Sequence, residues 1–231
     1  LRWAFPNKDN LWYKKTMKLC YQFYTKEFLD FLSFPKYYNN SKIHFLNLEV
    51  LLEALAQRKG VILIGSHFGS FDKLFYAMSK KGIDLTGVAY KQNNSGSDIF
   101  FKKIREQFMT NQLYKGGDIH LLNEALSQNN VLILLSDQDA KNKGAMVKFF
   151  NIDSSAHSGA AVLSKRKQCP LIYSSITKIN DSYEVKFDEI NTNNSIADIV
   201  QAYTSKIEKT IVKAPEQYFW FHKRWKSVRK Y

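Results

Sequence analysis

The sequence predicts an α/β fold: a single domain with a mainly parallel (mixed) central sheet covered by helices on both faces. Three observations predict it. Short continuous apolar runs such as Val61-Ile62-Leu63-Ile64 read as strands buried on both sides. Segments of helical spacing alternate with them along the chain. The 231 residues, 45% hydrophobic, can bury one substantial core.

The first forty residues are aromatic and basic. Residues 14–34 set Leu19, Phe23, Phe28, Leu29 and Phe31 at partly helical spacing beside Lys14, Lys15, Lys18 and Lys26. This fits an amphipathic helix on a membrane surface or a helix docked on the core. Pro35 ends it, and residues 37–42 read as a polar connection. Residues 1–45 are therefore expected to form a helical segment ahead of the α/β domain, 46–231. Asn47 is a cap for a helix through Arg58, and Gly60 closes it before a strand at 61–65. A helix over 71–80 ends at Gly82 and leads to a strand at 85–91. Residues 97–110 read as a helix with Ile99, Phe100, Ile104 and Phe108 inward. Asp118 caps a helix over 120–129, and 131–136 is a third buried strand. Helix follows at 159–167, then two strands at 171–178 and 182–188 joined by the turn Asn180-Asp181. A helix over 196–213 closes the fold before Pro215.

Ligands of such sheets gather at the carboxyl ends of the strands. His67 and Asp137 both lie just beyond such ends, so they share one rim. The turn Gly65-Ser66-His67-Phe68-Gly69-Ser70-Phe71-Asp72 also carries an imidazole and a carboxylate separated by four residues. If a helix begins near Ser70, Asp72 can fold back onto one imidazole nitrogen and leave the other free to accept a proton. In the plainer reading His67 satisfies a buried carbonyl or caps a helix, and Asp72 is a first-turn acid favoured by the helix dipole. Backbone N–H groups of Phe68-Gly69-Ser70 are candidates for stabilising an oxyanion, which places Gly69 and Ser70 among the site residues.

The net charge of +13 favours anionic partners without choosing among them. Near the end of the chain Lys223, Arg224, Lys226, Arg229 and Lys230 interleave with Trp220, Phe221, Trp225 and Tyr231. That pattern suits a membrane-surface edge or a solvated basic tail. No helix-turn-helix, zinc finger or RNP motif accompanies the charge, so nucleic acid is not expected. No run of about 18 apolar residues is present. Cys20 and Cys169 have no paired spacing, and Cys169 before Pro170 reads as a core residue. His44, His120 and His157 show no ligand spacing, so no metal is expected. No Gly-x-Ser-x-Gly elbow is present to supply a covalent nucleophile.

The chain resembles the lysophospholipid acyltransferase superfamily, and within it most closely the bacterial lipid A lauroyl/myristoyl acyltransferase branch. The resemblance begins with the strand and His-x4-acid signature ending at Asp72. It continues through Leu134-Leu135-Ser136-Asp137-Gln138-Asp139, Val147-Lys148-Phe149-Phe150 and Ser158-Gly159-Ala160-Ala161-Val162-Leu163. It closes with Pro215-Glu216-Gln217-Tyr218-Phe219-Trp220-Phe221-His222-Lys223-Arg224-Trp225-Lys226, and so covers most of the chain. Two departures stand out. Asp72 occupies a position that is usually Glu in the lipid A branch, and Asn151 replaces the glycine of Phe-Phe-Gly. The first leaves the acyl acceptor open, with a glycerolipid or aminoacyl lipid as the alternative.

The resemblance implies acyl transfer from acyl-carrier protein or acyl-CoA to a hydroxyl of a lipid A-type precursor, with His67 as base and Asp72 fixing its tautomer. No covalent acyl-enzyme and no bound cofactor are implied. It further implies that Arg105 pairs with an acceptor phosphate, that Asp137 and Gln138 orient the acceptor or the arginine, and that Phe149 and Phe150 line an acyl channel. Lys91 and Arg224 would meet phosphate near the same rim, and His222 has no assigned chemistry. The expected location is the cytosolic face of a bacterial inner membrane, against an anionic lipid surface. A membrane-anchoring helix is expected ahead of Leu1. An acidic carrier protein would suit the basic surface as donor. A non-catalytic lipid- or nucleic-acid-binding module is the more distant alternative.

Overall fold

A seven-stranded sheet organises the computed structural model, which describes residues 1–230; Tyr231 lies outside the described residues. The strands are β1 (Lys42–Phe45), β2 (Val61–Gly65), β3 (Leu85–Ala89), β4 (Asn111–Tyr114), β5 (Val131–Leu135), β8 (Leu171–Ile179) and β9 (Ser182–Glu189), in the spatial order β1-β9-β8-β2-β5-β3-β4. All neighbours pair parallel except β8 and β9. The mixed, mainly parallel α/β fold expected from the sequence is thus observed.

The apolar runs are explained by burial on both faces. Val61 and Leu63 of β2 face a core that contains Leu74, Phe75 and Met78 of α4 (Phe71–Ser79), together with α3 (Glu49–Ala56) and α5 (Ser95–Arg105). Ile62 and Ile64 face the opposite core, built with α6 (Ile119–Ser127), α7 (Gly159–Lys167) and α8 (Ile196–Lys213). Each such side chain contributes about 1.5–3 kcal/mol by leaving water. Gly60 has φ +67, and a Cβ there would sit 2.6 Å from the Leu126 carbonyl oxygen, so only glycine fits before β2.

Several elements differ from the sequence reading. Helix α1 (Asn10–Leu32) begins earlier than residue 14 because the Asp9 carboxylate accepts from the Trp12 N–H at 2.7 Å. It docks on the core through one face and leaves the other exposed. Tyr13, Thr16, Cys20 and Phe31 are buried, whereas Leu11, Lys14, Lys15, Lys18, Tyr21, Phe28 and Leu29 are exposed. The polar connection contains a short helix α2 (Lys36–Asn39) and the start of β1. Asn47 does not cap α3; its side chain takes the Phe187 N–H at 2.9 Å and laces β9. Helix α5 stops at Arg105, which frees the chain to form β4; Ile104 and Phe108 are buried but Ile99 and Phe100 are exposed. Asp118 does cap α6, through the His120 N–H at 2.8 Å.

An antiparallel hairpin, β6 (Ala145–Phe149) and β7 (Ile152–Ala156), was not foreseen. Phe150 and Asn151 form its tip, both at positive φ. Phe149 and Phe150 pack in the core against Trp225 and Trp220. The terminal basic-aromatic segment is accordingly split: Arg224 and Trp225 are buried, while Lys226, Arg229 and Lys230 are exposed. Tyr231, expected in the same edge, lies outside the described residues.

Candidate active site

The register of two neighbouring strands assembles the site. Gly65, the last residue of β2, pairs with Leu135, the last of β5. His67 and Asp137 each follow by two residues, so the strand ends deliver them side by side. Nδ1 of His67 lies 2.8 Å from Oδ1 of Asp137, whose side chain is 2% exposed. The carboxylate hydrogen-bonded to the imidazole is therefore Asp137 and not Asp72, because β5 brings Asp137 alongside the ring. With Nδ1 so engaged, Nε2 is the nitrogen left for a reacting group, on a ring that lines the cavity described below. The ring meets Phe71 edge-on, with centroids 5.5 Å apart.

The turn that carries His67 is held from behind. Phe68 bridges antiparallel to Tyr218, the Gly69 N–H donates to the Gln217 carbonyl at 2.8 Å, and the Phe219 N–H donates to the His67 carbonyl at 2.9 Å. The Tyr24 hydroxyl, from α1, lies 2.8 Å from the His67 carbonyl oxygen and 2.9 Å from that of Gln217. Gly69 has φ +62, and a Cβ there would fall 1.8 Å from the Ile176 carbonyl oxygen. This glycine serves close approach. Its N–H is already used, which removes it as an oxyanion donor. The Ser70 hydroxyl donates to Glu27, and Ser70 does not line the cavity.

Burial pushes the His67 pKa down, but the charge and hydrogen bond of Asp137, with Asp72 adding charge, outweigh it and raise the net value. For Asp137, burial works upward, yet the imidazole's charge and hydrogen bond hold its carboxyl below the usual range. Asp72 stands in the first turn of α4 and lines the cavity. Loss of hydration lifts its carboxyl to about 6 against the opposing charges of Arg105 and His67.

His67 opens on a largely apolar cavity of about 590 Å³. Arg105 and Gln138 line it, and the Arg105 guanidinium donates to Gln112 Oε1 at 3.3 Å. Four expected residues are elsewhere. Lys91 is exposed outside the cavity wall, although Tyr90 and Gln92 belong to it. Phe149 and Phe150 are drawn into the core by the β6–β7 hairpin. Arg224 is buried and donates to the Ser155 carbonyl at 2.7 Å, so it does not meet a ligand at the rim. Sequence reasoning missed Lys115 and His157, which line the cavity, and Tyr24, which braces His67. His222 braces the loop after β5 by accepting the Asp139 N–H at 3.2 Å. Among the described residues no group of three His, Cys, Asp or Glu side chains is placed to hold a metal.

The fold and site define an α/β protein with a histidine held by a buried carboxylate at the strand-end rim, facing a largely apolar cavity. The chain belongs to the bacterial lipid A biosynthesis acyltransferase family, whose sequence pattern matches residues 14–227. It is similar to the lipid A biosynthesis palmitoleoyltransferase of Escherichia coli (strain K12), with 26% identity over 187 residues, covering 78% of this chain and 60% of that protein. It is similar to the same degree to the lipid A biosynthesis acyltransferase of Shigella flexneri. The chain thus spans about 60% of the length of these curated relatives.

Proposed function

We propose that the protein transfers a fatty acyl chain from a thioester donor, acyl-carrier protein or acyl-CoA, to a hydroxyl of a lipid A-type glycolipid precursor. The observation that carries this reading is the 2.8 Å His67–Asp137 hydrogen bond, which leaves Nε2 as the ring's remaining nitrogen beside a largely apolar cavity. A sugar hydroxyl is a poor nucleophile at neutral pH. Neutral His67 takes its proton at Nε2 as the oxygen attacks the thioester carbonyl carbon. Asp137 keeps the proton of the neutral ring on Nδ1 and stabilises the imidazolium as it forms. The C–S bond then breaks, and the departing thiolate takes the proton back from Nε2. No acyl-enzyme is needed, and burial pushes both Cys20 and Cys169 up to about 11, away from nucleophilic use.

The wall formed by Phe71, Phe75, Gly87, Met109 and Ile133 suits the acyl chain. Phe71 touches the imidazole and leads to Phe75, with ring centroids 6.0 Å apart. A Cβ on Gly87 would lie 2.7 Å from Met109 Sδ, so the absent side chain lets Met109 pack against β3 in this wall.

The same proposal places the site at the cytosolic face of an inner membrane. No helix among the described residues is long and apolar enough to cross a membrane. Helix α1 supports a surface association. Its exposed face mixes leucines and aromatics with Lys14, Lys15 and Lys18, and its two acids, Glu27 and Asp30, turn inward to Lys73. A phospholipid acceptor is the second reading, favoured by Asp72 in place of Glu.

The test is acyl transfer from labelled carrier-protein and CoA thioesters into a lipid A precursor and a lysophospholipid, side by side. Label is expected in the glycolipid only, with His67→Ala slower by roughly 10² to 10⁴. Label confined to the lysophospholipid selects the second reading, and no difference from His67→Ala removes the base.

A further inference from the structure

Besides its apolar wall, the cavity carries basic side chains. Lys115, just beyond β4, Arg166 of α7 and Arg105 all line it, and none forms an ion pair with a carboxylate among the described residues. Lys115 is the most defined of them. Its ammonium sits 4.6 Å above the Tyr90 ring centre, donates to the Tyr90 hydroxyl, and lies 3.4 Å from Nε2 of His157. Both partners are neutral acceptors, so they orient the ammonium without cancelling its charge.

His157 is fixed from its other side, where its carbonyl accepts the Tyr203 hydroxyl. Burial first, then the Lys115 and Arg224 charges, lower its pKa to about 4 against the pull of Asp137 and Asp139. A lysine set against an imidazole that it helps keep neutral is a cluster built with one negative charge missing. The Gly116-Gly117 segment continues the same wall and brings main chain, without side-chain bulk, to the cavity.

We propose that Lys115, His157 and Tyr90 form a phosphate-binding subsite of the cavity. It rests on the acyl-transfer reading for its role, though not for its existence. The phosphate comes either from a phosphorylated acceptor headgroup or from the phosphopantetheine arm of the donor. A dianion here accepts from Lys115 and from the Tyr90 hydroxyl, and it makes protonation of His157 favourable, so the imidazole becomes a further donor.

The deciding measurement is a titration of the full chain with inorganic phosphate, followed through the His157 ring resonances by NMR. The expected result is a saturable shift toward the protonated form, with the midpoint of His157 raised above about 4, and loss of that response in Lys115→Met. An unresponsive His157, or the same response in Lys115→Met, overturns the subsite. Kinetics then separate the sources. Lys115→Met should raise KM by roughly tenfold to a hundredfold for the ligand that carries the bound phosphate. A rise for a phosphorylated but not a dephosphorylated acceptor assigns it to the acceptor. A rise for phosphopantetheine but not pantetheine thioesters assigns it to the donor. If the unaltered protein transfers no acyl chain, the acyl-transfer reading fails while the phosphate titration still decides the subsite.

Discussion

Two buried polar clusters flank the turn that carries His67, and they differ in how completely they are satisfied. On the α1 side, Lys73 is 1% exposed and fills all three ammonium donors, with Glu27 and Asp30 at 2.7 Å and the Tyr183 hydroxyl at 2.9 Å. Glu27 also accepts from Ser70 and, at 2.9 Å, from Tyr183. On the cavity side, His67 has one nitrogen bonded, and its side chain is 26% exposed. A closed cluster holds α1 to α4; an open one keeps a valence for something that arrives. Complete hydrogen bonding marks the scaffold here, and the unfilled Nε2 marks the nitrogen to which the proposal assigns the chemistry.

The largest expected effect comes from removing the charge in the open cluster. Asp137→Asn should lower kcat/KM by roughly 10² to 10⁴, because the amide no longer enforces the Nδ1–H tautomer or stabilises the imidazolium. Asp72→Asn should cost far less, since Asp72 acts on the ring through charge alone. The base must be neutral, so activity rises with pH through the raised His67 pKa. Asp137→Asn should move that limb to lower pH. For stability, the His67 contribution is fully present below its ordinary 6.5 and fades as pH rises through its raised value. The Asp137 contribution is present above 3.8 and fades as pH falls through its lowered value. The pair therefore stabilises most between those limits, and Asp137→Asn should lower Tm most there. Steady-state kinetics that rank Asp72 above Asp137 would overturn the assignment.

Next in size is Lys73→Met, which leaves Glu27 with no ion-pair partner among the described residues and Asp30 with only the half-exposed Lys26, 2.9 Å away. Breaking a buried pair from one side costs about 3–5 kcal/mol, a fall in Tm of roughly 6–20 °C for a chain of this size. The pairing of Glu27→Gln with Lys73→Met should return part of that loss. His67→Ala should lower Tm by less, since the His67 side chain is 26% exposed. A Lys73→Met protein as stable as the parent would mean that the closed cluster does not hold α1 in place.

Much of the fold was legible because buried parallel strands have a signature that does not depend on context. The run at 61–65 can hardly be anything but a core strand. The rim was legible too, since His67 and Asp137 both follow such runs. What one dimension hides is register. Residues 67 and 72 are close in sequence, yet Gly65 pairing with Leu135 places residue 137 against the imidazole instead. The edge strands were missed for a different reason. Lys42–Phe45 and Asn111–Tyr114 are four residues long and partly exposed, so they carry no apolar run. Phe149 and Phe150 were expected as channel walls from the resemblance, while a double Phe by itself suits a core as well, and the hairpin turn shows them packed in the core. Tyr24 left no trace, because nothing local distinguishes a helix tyrosine that reaches a carbonyl forty-three positions away.

Tyr24 joins the two clusters, which makes Tyr24→Phe the finest test of the contrast. Its hydroxyl is shared by the carbonyls of His67 and Gln217, one on the turn that carries the imidazole and one on the segment that braces it. Removing the oxygen keeps the ring, which packs edge-on against Phe219 with centroids 5.1 Å apart. The lost hydrogen bond should cost about 1 kcal/mol of stability, a Tm change of roughly 2–4 °C. If the hydroxyl only ties α1 to the sheet, kcat and KM stay unchanged while Tm falls. If it positions His67, kcat should drop about threefold to tenfold with KM constant, because a small displacement of Nε2 weakens proton transfer before it weakens binding. The kcat-to-KM split in Tyr24→Phe, read beside its Tm, therefore decides whether α1 belongs to the closed cluster alone or reaches through the backbone into the open one.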